Sequence, residues 1–295
     1  MKTREGRPIH IKGNPQFGIN RNPSLNKGVV NARINSSVLS LYDGERLKSA
    51  MKKEGDVWTS ASWTDADKAI TDGLNAAIAS DRRIVVLTNT VLSPSTNATI
   101  AALKARYSTV EHVQYDTISY SGVTNANLKS FGKRVFPSYD FTKAAVIVSV
   151  DADFLSSWGS TTENTWQYAV GRNPDGAMNK HFQVEARMSI TGANADVRIP
   201  VKQSELALAV IALHDAVARK TGGTTIGGGL ENEHVAHAAE ALLGAGAGKS
   251  LVLAGSNNEG VQVLSLIHIS SAVSRSRTST TSRSATTSKP SSWRK

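Results

Sequence analysis

The 295-residue sequence contains no cysteine. That absence excludes disulfide staples, thiolate catalysis, zinc ribbons and any iron–sulfur cluster held by this chain's own thiolates. Long apolar runs are missing too: no stretch approaches the ~18 consecutive apolar residues that a bilayer-crossing helix needs. Met1 to Asn14 carries charge without the apolar segment of a secretion signal. Aromatic residues make up only 6%, and the five tryptophans show no regular spacing among basic residues, which gives stacking-based single-strand binding little support. What is present is a globular composition, 40% hydrophobic and 20% charged, in a length that suits one large or two small domains.

The net charge of +10 has to be located before it is interpreted. Arg275, Arg277, Arg283, Lys289, Arg294 and Lys295 fall in 271–295 with no acid among them, which leaves +4 for the first 270 residues. From Ser265 onward the composition shifts to Ser, Thr and Arg without helical or strand periodicity, so 265–295 is expected to be a disordered basic tail. The run Leu264-Ser-Leu-Ile-His-Ile-Ser270 is what a widely used sequencing adapter spells in one reading frame. The expectation is therefore read-through at about Leu264 followed by non-native sequence, a natural part that stops in mid-domain, and an exposed apolar surface where the remainder would pack. A nucleic-acid partner would rest on this tail alone and is not expected.

Residues 1–60 read as an extended arm, with an Ile9/Ile11 alternation, a stop at Gly13-Asn14-Pro15, and a short helix over Asn35–Leu47 whose Leu39, Leu41 and Leu47 would face inward. From 61 to 264 the rhythm is that of an α/β domain. Ser62-Trp-Thr-Asp65 opens an amphipathic helix to Ile78 with Ala66, Ala69, Ile70, Leu74 and Ala77 in one stripe, and Arg83–Thr88 is a near-continuous apolar strand, as when both faces are covered. Ser93-Pro94 opens a helix to Tyr107, followed by a strand at Val110–Tyr115 and a long loop over Asp116–Lys143. Further strands are predicted at Ala144–Asp151, His181–Met188, Val197–Val201 and Ser250–Ala254, and helices at Glu163–Val170, Ser204–Arg219 and Glu231–Leu243, with another helix opening at Asn257. Such alternation predicts a mainly parallel sheet with helices on both faces.

Catalytic signatures are sparse. Gly244-Ala-Gly-Ala-Gly-Lys-Ser250 lacks the first glycine of a phosphate loop and has helix and strand in the wrong order, so it reads as a helix end leading into a strand. His234 and His237 share a helical face with no evident third metal ligand, and no Ser/His/Asp arrangement appears. Asp151 and Asp153 follow the most apolar strand, at the edge where parallel sheets place ligands, and could accept hydrogen bonds from a ribose or a pterin amine or simply cap the next segment. Asn194 and Asp196 lie in a compact polar turn whose side chains could equally be turn-formers. No catalytic residue and no metal ligand stands out.

Taken together, Arg4-Glu-Gly-Arg-Pro-Ile-His-Ile-Lys-Gly-Asn-Pro15, Ser40-Leu-Tyr-Asp-Gly-Glu-Arg-Leu47, Ser62-Trp-Thr-Asp-Ala-Asp67, Leu92-Ser-Pro-Ser-Thr96, Ser149-Val-Asp-Ala-Asp-Phe-Leu155 and Thr191-Gly-Ala-Asn-Ala-Asp-Val-Arg-Ile-Pro-Val201 resemble the molybdopterin oxidoreductase superfamily. Within it the sequence looks most like the large iron–sulfur, molybdopterin-like subunit of bacterial alternative complex III, a quinol-oxidising respiratory assembly. The resemblance implies a fragment of a subunit on the periplasmic side of the inner membrane, with iron–sulfur clusters in a C-terminal domain outside this sequence. It implies docking to that cluster domain and to cytochrome and membrane quinol-binding subunits.

The sequence departs from the family where the pterin nucleotide binds, with Lys202-Gln-Ser-Glu205 in place of the usual Pro-Gly-Thr-Asp turn and Asp151-Ala-Asp153 in place of Gly-x-Asn. Carboxylates there oppose a pyrophosphate. The implied reading is a redox-inactive scaffold without a cofactor, with Asp151, Asp153, Asn194 and Asp196 as remnants of a groove. The alternative is part of an active molybdopterin-dependent reductase acting on polysulfide, thiosulfate or dimethyl sulfoxide.

Overall fold

A computed structural model describes residues 1–16, 21–22, 27–246 and 248–274. The elements in chain order are β1 (Lys2–Arg4), β2 (Arg7–His10), β3 (Arg21–Asn22), β4 (Lys27–Gly28), α1 (Ala32–Ser36), β5 (Ala50–Glu54), β6 (Val57–Ala61), α2 (Trp63–Ala79), β7 (Ile84–Thr88), α3 (Pro94–Arg106), β8 (Val110–Gln114) and α4 (Ser121–Phe131). They continue as β9 (Val146–Val150), α5 (Thr161–Val170), β10 (Lys180–Glu185), α6 (Ile190–Ala193), β11 (Val197–Pro200), α7 (Leu206–Thr221), α8 (Glu233–Gly244), β12 (Ser250–Ala254) and α9 (Glu259–Ser274). The chain forms two compact units, one of residues 1–10 and 32–119 and the other of 11–31 and 120 onward. The composition boundary at residue 60 falls inside the first.

The second unit holds a four-stranded sheet in the order β11-β10-β9-β12, with every pairing parallel. Its central strand β9 is a run of β-branched residues and is buried along its whole length. One face, with Val148, Phe182, Val184, Ile199 and Val252, packs against Leu206, Val210 and Leu213 of α7 and Val235, Ala238 and Leu242 of α8. The opposite face, with Ile147, Leu251 and Leu253, is covered by Phe141, Phe154, Trp158 and the α5 residue Tyr168. The expected parallel α/β sheet covered on both sides is therefore present. At about 25 cal/mol per Å² of apolar area removed from water, burial of side chains such as Phe154, Phe182 and Leu213 dominates the stability of this unit.

The first unit is built differently. Its hairpins β1–β2 and β5–β6 are antiparallel, and β7 and β8 form a two-stranded parallel sheet. Ser62 and Ser93 cap α2 and α3 by accepting the amides of Asp65 and Thr96. Among its described residues only Val38 and Val110 are buried. Strand β7 is not covered on both faces as its composition predicted: Val85 and Leu87 are 46% and 67% exposed, and in α2 Ile70 is 61% exposed. A two-stranded sheet with helices on one side leaves the other side bare, whatever the apolarity of the strand.

Other expectations change as well. The predicted helix at Asn35–Leu47 is α1 followed by a 3-10 turn over Ser37–Leu41, and Leu39, Leu41 and Leu47 are exposed while Val38 is inward. The predicted loop at Asp116–Lys143 contains α4. Strand β10 stops at Glu185 because Ser189 turns the chain into α6 by accepting the Gly192 amide. The tail predicted to be disordered from Ser265 instead continues α9 to Ser274, since Ser265 and Leu266 are buried at 3% and 5% and the Ser265 hydroxyl donates to the Gln262 carbonyl. The expectation for 275–295 lies outside the described residues.

Candidate functional site at the carboxyl edge of the parallel sheet

The chain fills β9, β10 and β11 to one side and then returns through α7 and α8 to place β12 on the other flank of β9. The topological switch point therefore lies between β9 and β12, where an open parallel sheet forms its ligand crevice. Asp151 stands there, immediately beyond β9, with φ +55°. Its amide donates to the Val184 carbonyl, and the Gly255 amide donates to the Val150 carbonyl at 2.8 Å. Gly255 lies so close that a Cβ on it would sit 2.0 Å from the Asp151 carbonyl oxygen. Only a residue without a side chain fits, and the two loops that would flank a crevice touch.

Three carboxylates gather near this edge, and each has a different environment. Burial lifts the Asp151 carboxyl above the usual carboxylate range; Arg187 opposes the rise, and Glu185 and Asp153 add to it. Asp153 accepts from the Thr191 hydroxyl at 2.7 Å and the Thr191 amide at 3.2 Å, tying the loop after β9 to α6. Glu185 is 1% exposed. It accepts from the Ser189 hydroxyl and amide, from Arg198 Nε at 2.6 Å and from Gln183 Nε2 at 3.3 Å. Desolvation pushes its carboxyl up, but Ser189 and Arg198 outweigh that and hold it below the usual range.

Asn194 and Asp196 are elsewhere. The connection from β10 through α6 carries the chain back to the amino end of the sheet, where Asp196 accepts from the His181 amide and from both terminal nitrogens of Arg172 at 2.8 Å. Desolvation raises the Asp196 carboxyl, and the Arg172 and His181 bonds more than reverse it. Asn194 donates to the Ile190 carbonyl and offers its own carbonyl to the Tyr168 hydroxyl. The four predicted groove residues thus form two pairs at opposite ends of the strands, and only Asp151 and Asp153 face the ligand-binding edge.

Sequence reasoning gives His181 as an isolated packed or surface residue and does not show that it forms, with Gln183 and Glu185, an alternating polar row inside a buried strand. The signal was present as polar residues at i, i+2 and i+4 interleaved with Phe182 and Val184. His237 packs edge-on against Phe182 at 5.6 Å, while His234 is exposed. Among the described residues no group of three His, Cys, Asp or Glu side chains is arranged to hold a metal.

No family model matches the chain. It is 25% identical over 204 residues to the molybdopterin-binding-like subunit of a menaquinone reductase from Nitratidesulfovibrio vulgaris, covering 67% of this chain and 28% of that one. The chain therefore spans little more than a quarter of that relative's length. The superfamily resemblance read from the sequence is borne out by this similarity. Among solved structures, the formyltransferase/hydrolase complex of Methylorubrum extorquens aligns with TM-score 0.47 at 17% identity, over 78% of this chain and 58% of that one. Acetylene hydratase from Pelobacter acetylenicus aligns with TM-score 0.47 at 12% identity, over 81% and 33%.

Proposed function

We propose that this chain is part of the molybdopterin-like subunit of a respiratory quinone-linked oxidoreductase, of the alternative complex III kind, and that its α/β body serves there as a scaffold without a pterin cofactor. The observation that carries this reading is the closed switch point. A pterin pyrophosphate needs an open crevice lined by N–H donors. Here the Gly255 backbone is seated on Asp151, and the nearest ionisable groups include a half-buried carboxylate whose proton affinity is already raised. The residues present do not fit the cofactor, and no chemical step is assigned to it.

A body of this type, with both sheet faces covered, supplies a rigid surface for the cluster-bearing domain of the same subunit and for cytochrome and membrane quinol-binding subunits. The periplasmic face of the inner membrane is the corresponding location. The similarity to a menaquinone reductase subunit supports the quinone-linked setting. Metal and pterin analysis of the purified subunit carrying this sequence is expected to find neither molybdenum nor an extractable pterin. Stoichiometric amounts of both in folded protein would overturn the scaffold reading in favour of an active molybdenum reductase.

A further inference from the structure

The net charge of +4 on the first 270 residues conceals an asymmetry. Residues 1–54 hold eleven lysines and arginines against four acids, a net +7, whereas 55–270 hold seventeen against twenty, a net −3. The N-terminal hairpin shows how this excess is arranged. Glu5 and Gly6, both at positive φ, turn β1 back into β2 in a register that sets Arg4 directly across from Arg7 and Lys2 across from His10. All four side chains are exposed, and among the described residues none is ion-paired with an acid. Like charges facing each other across an antiparallel pair destabilise it. A hairpin built this way, with no acid to relieve it, is matched to an external anion.

Exposed apolar side chains stand beside these cations. The 3-10 turn over Ser37–Leu41 is held to the hairpin by the Tyr42 hydroxyl, which donates to the Pro8 carbonyl at 2.6 Å. In that turn Leu39 and Leu41 are 69% and 47% exposed, and Tyr42 and the β2 residue Ile9 are exposed as well. Farther along the chain Leu47 is exposed between exposed Arg46 and Lys48. Packing within the first unit accounts for none of these positions. Aliphatic side chains interleaved with unpaired cations, with a tyrosine among them, suit the boundary between lipid headgroups and acyl chains, where the cations meet phosphate and the apolar groups leave water. A nucleic-acid backbone would engage the cations and leave the leucines in water.

We propose that this surface of the first unit, the β1–β2 hairpin with the turn at 37–42, docks on an anionic phospholipid membrane, its cations against headgroup phosphates and Leu39 and Leu41 at the acyl boundary. The inference goes beyond the proposed function, in which partner subunits supply the contact with the membrane, and does not rest on it. A pterin found in the subunit would overturn the scaffold reading and leave this surface as it is.

The test is co-sedimentation of the full chain with vesicles of phosphatidylcholine, alone or mixed with phosphatidylglycerol. In every sample the six lysines and arginines of 271–295 are changed to glutamine, so that the tail cannot supply the attraction. Binding is expected only where phosphatidylglycerol is present, and it should weaken as salt rises. Each cation near an anionic membrane is worth about a fivefold factor, so Arg4→Gln with Arg7→Gln is expected to weaken binding about twentyfold. The same double variant removes a like-charge pair and should melt no lower than its parent, which separates lost binding from a lost fold. Leu39→Ser with Leu41→Ser is expected to remove the binding that persists at high salt. Lys104→Gln with Lys220→Gln, two exposed cations outside this surface, should change little. No binding, equal binding to phosphatidylcholine alone, an equal loss from the Lys104 and Lys220 pair, or a lower melting point for the arginine variant overturns the proposal. So does tighter binding to duplex DNA or to polyglutamate than to the vesicles, which would assign the surface to a different partner.

Discussion

Burial pulls the His181 imidazole down to about 4, against 6.5 for an exposed histidine, with the Gln183 side chain the largest opposing influence. The sign of the consequence follows from linkage. Because the folded-state value lies below the unfolded one, the unfolded chain takes up the proton first as pH falls. The His181 contribution to stability is expected to be fully present above pH 6.5 and to be lost at about 1.4 kcal/mol per unit between there and about 4, roughly 3 kcal/mol in all. Urea midpoints measured across that interval are expected to follow this slope, and His181→Gln is expected to flatten it. A second residue-scale prediction concerns Asp215, 5% exposed, which accepts from the Ile226 and Gly227 amides at 2.8 and 2.7 Å and from His214. Asp215→Ala strips the connection 222–231 of its anchor and should cost about 2–4 kcal/mol, seen as a lower denaturation midpoint and faster amide exchange at 226 and 227.

At the scale of elements, α6 is a four-residue helix held against β10 by a close approach. A Cβ on Gly192 would lie 2.0 Å from a Glu185 carboxylate oxygen, so Gly192→Ala must displace a buried, four-times-bonded carboxylate. A loss of about 2–4 kcal/mol is expected, with the Arg198–Glu185 pair broken in the variant's structure. Elements of this kind also mark the limit of what the sequence discloses. Strands β9 and β12 were legible because they are short apolar runs bounded by turn residues, β-branched in β9 and leucine-rich in β12. Helix α4 was not, because Ser121-Gly-Val-Thr-Asn-Ala-Asn127 is poor in helix formers and is held by tertiary contacts: Val123 and Ala126 are buried, and the Gly122 amide donates to Asn257, 135 residues away. The candidate site divides differently. Asp151 and Asp153 could be placed at the carboxyl edge by their position after a strand, and Asn194 and Asp196, which immediately precede the predicted strand at Val197, belong by the same rule to the amino edge; grouping all four in one groove followed the family resemblance and not this local order.

At the scale of the molecule, the two units differ in how completely they are packed. The first contains a cleft of about 380 Å³ between α2 and α3, lined by Leu74, Ile78, Ile84, Leu103 and Val110, in addition to the bare Val85 and Leu87. The second has a continuous core on both faces of its sheet. Native-state hydrogen exchange on the isolated chain is expected to show α2, β7, α3 and β8 exchanging orders of magnitude faster than β9, β10 and β12, since local opening energies follow buried apolar contact. Equal protection in the two regions would contradict this difference in packing. Apolarity alone did not reveal the difference, because β7 and β9 read almost alike and are distinguished only by what the rest of the chain supplies to cover them.

The placement of β12 beside β9 also sets an order of events during synthesis. Residues 146–150 leave the ribosome about a hundred residues before 250–254, the partners that complete one flank of their strand. Until those later residues emerge, one row of backbone donors and acceptors on β9 has no mate. The loop that must close to supply it is long, and pairings of that span form slowly. During this interval the nascent chain is exposed to mispairing at that flank, and chaperone dependence should lessen once the codon for Ala254 has been translated and its residue has cleared the exit tunnel.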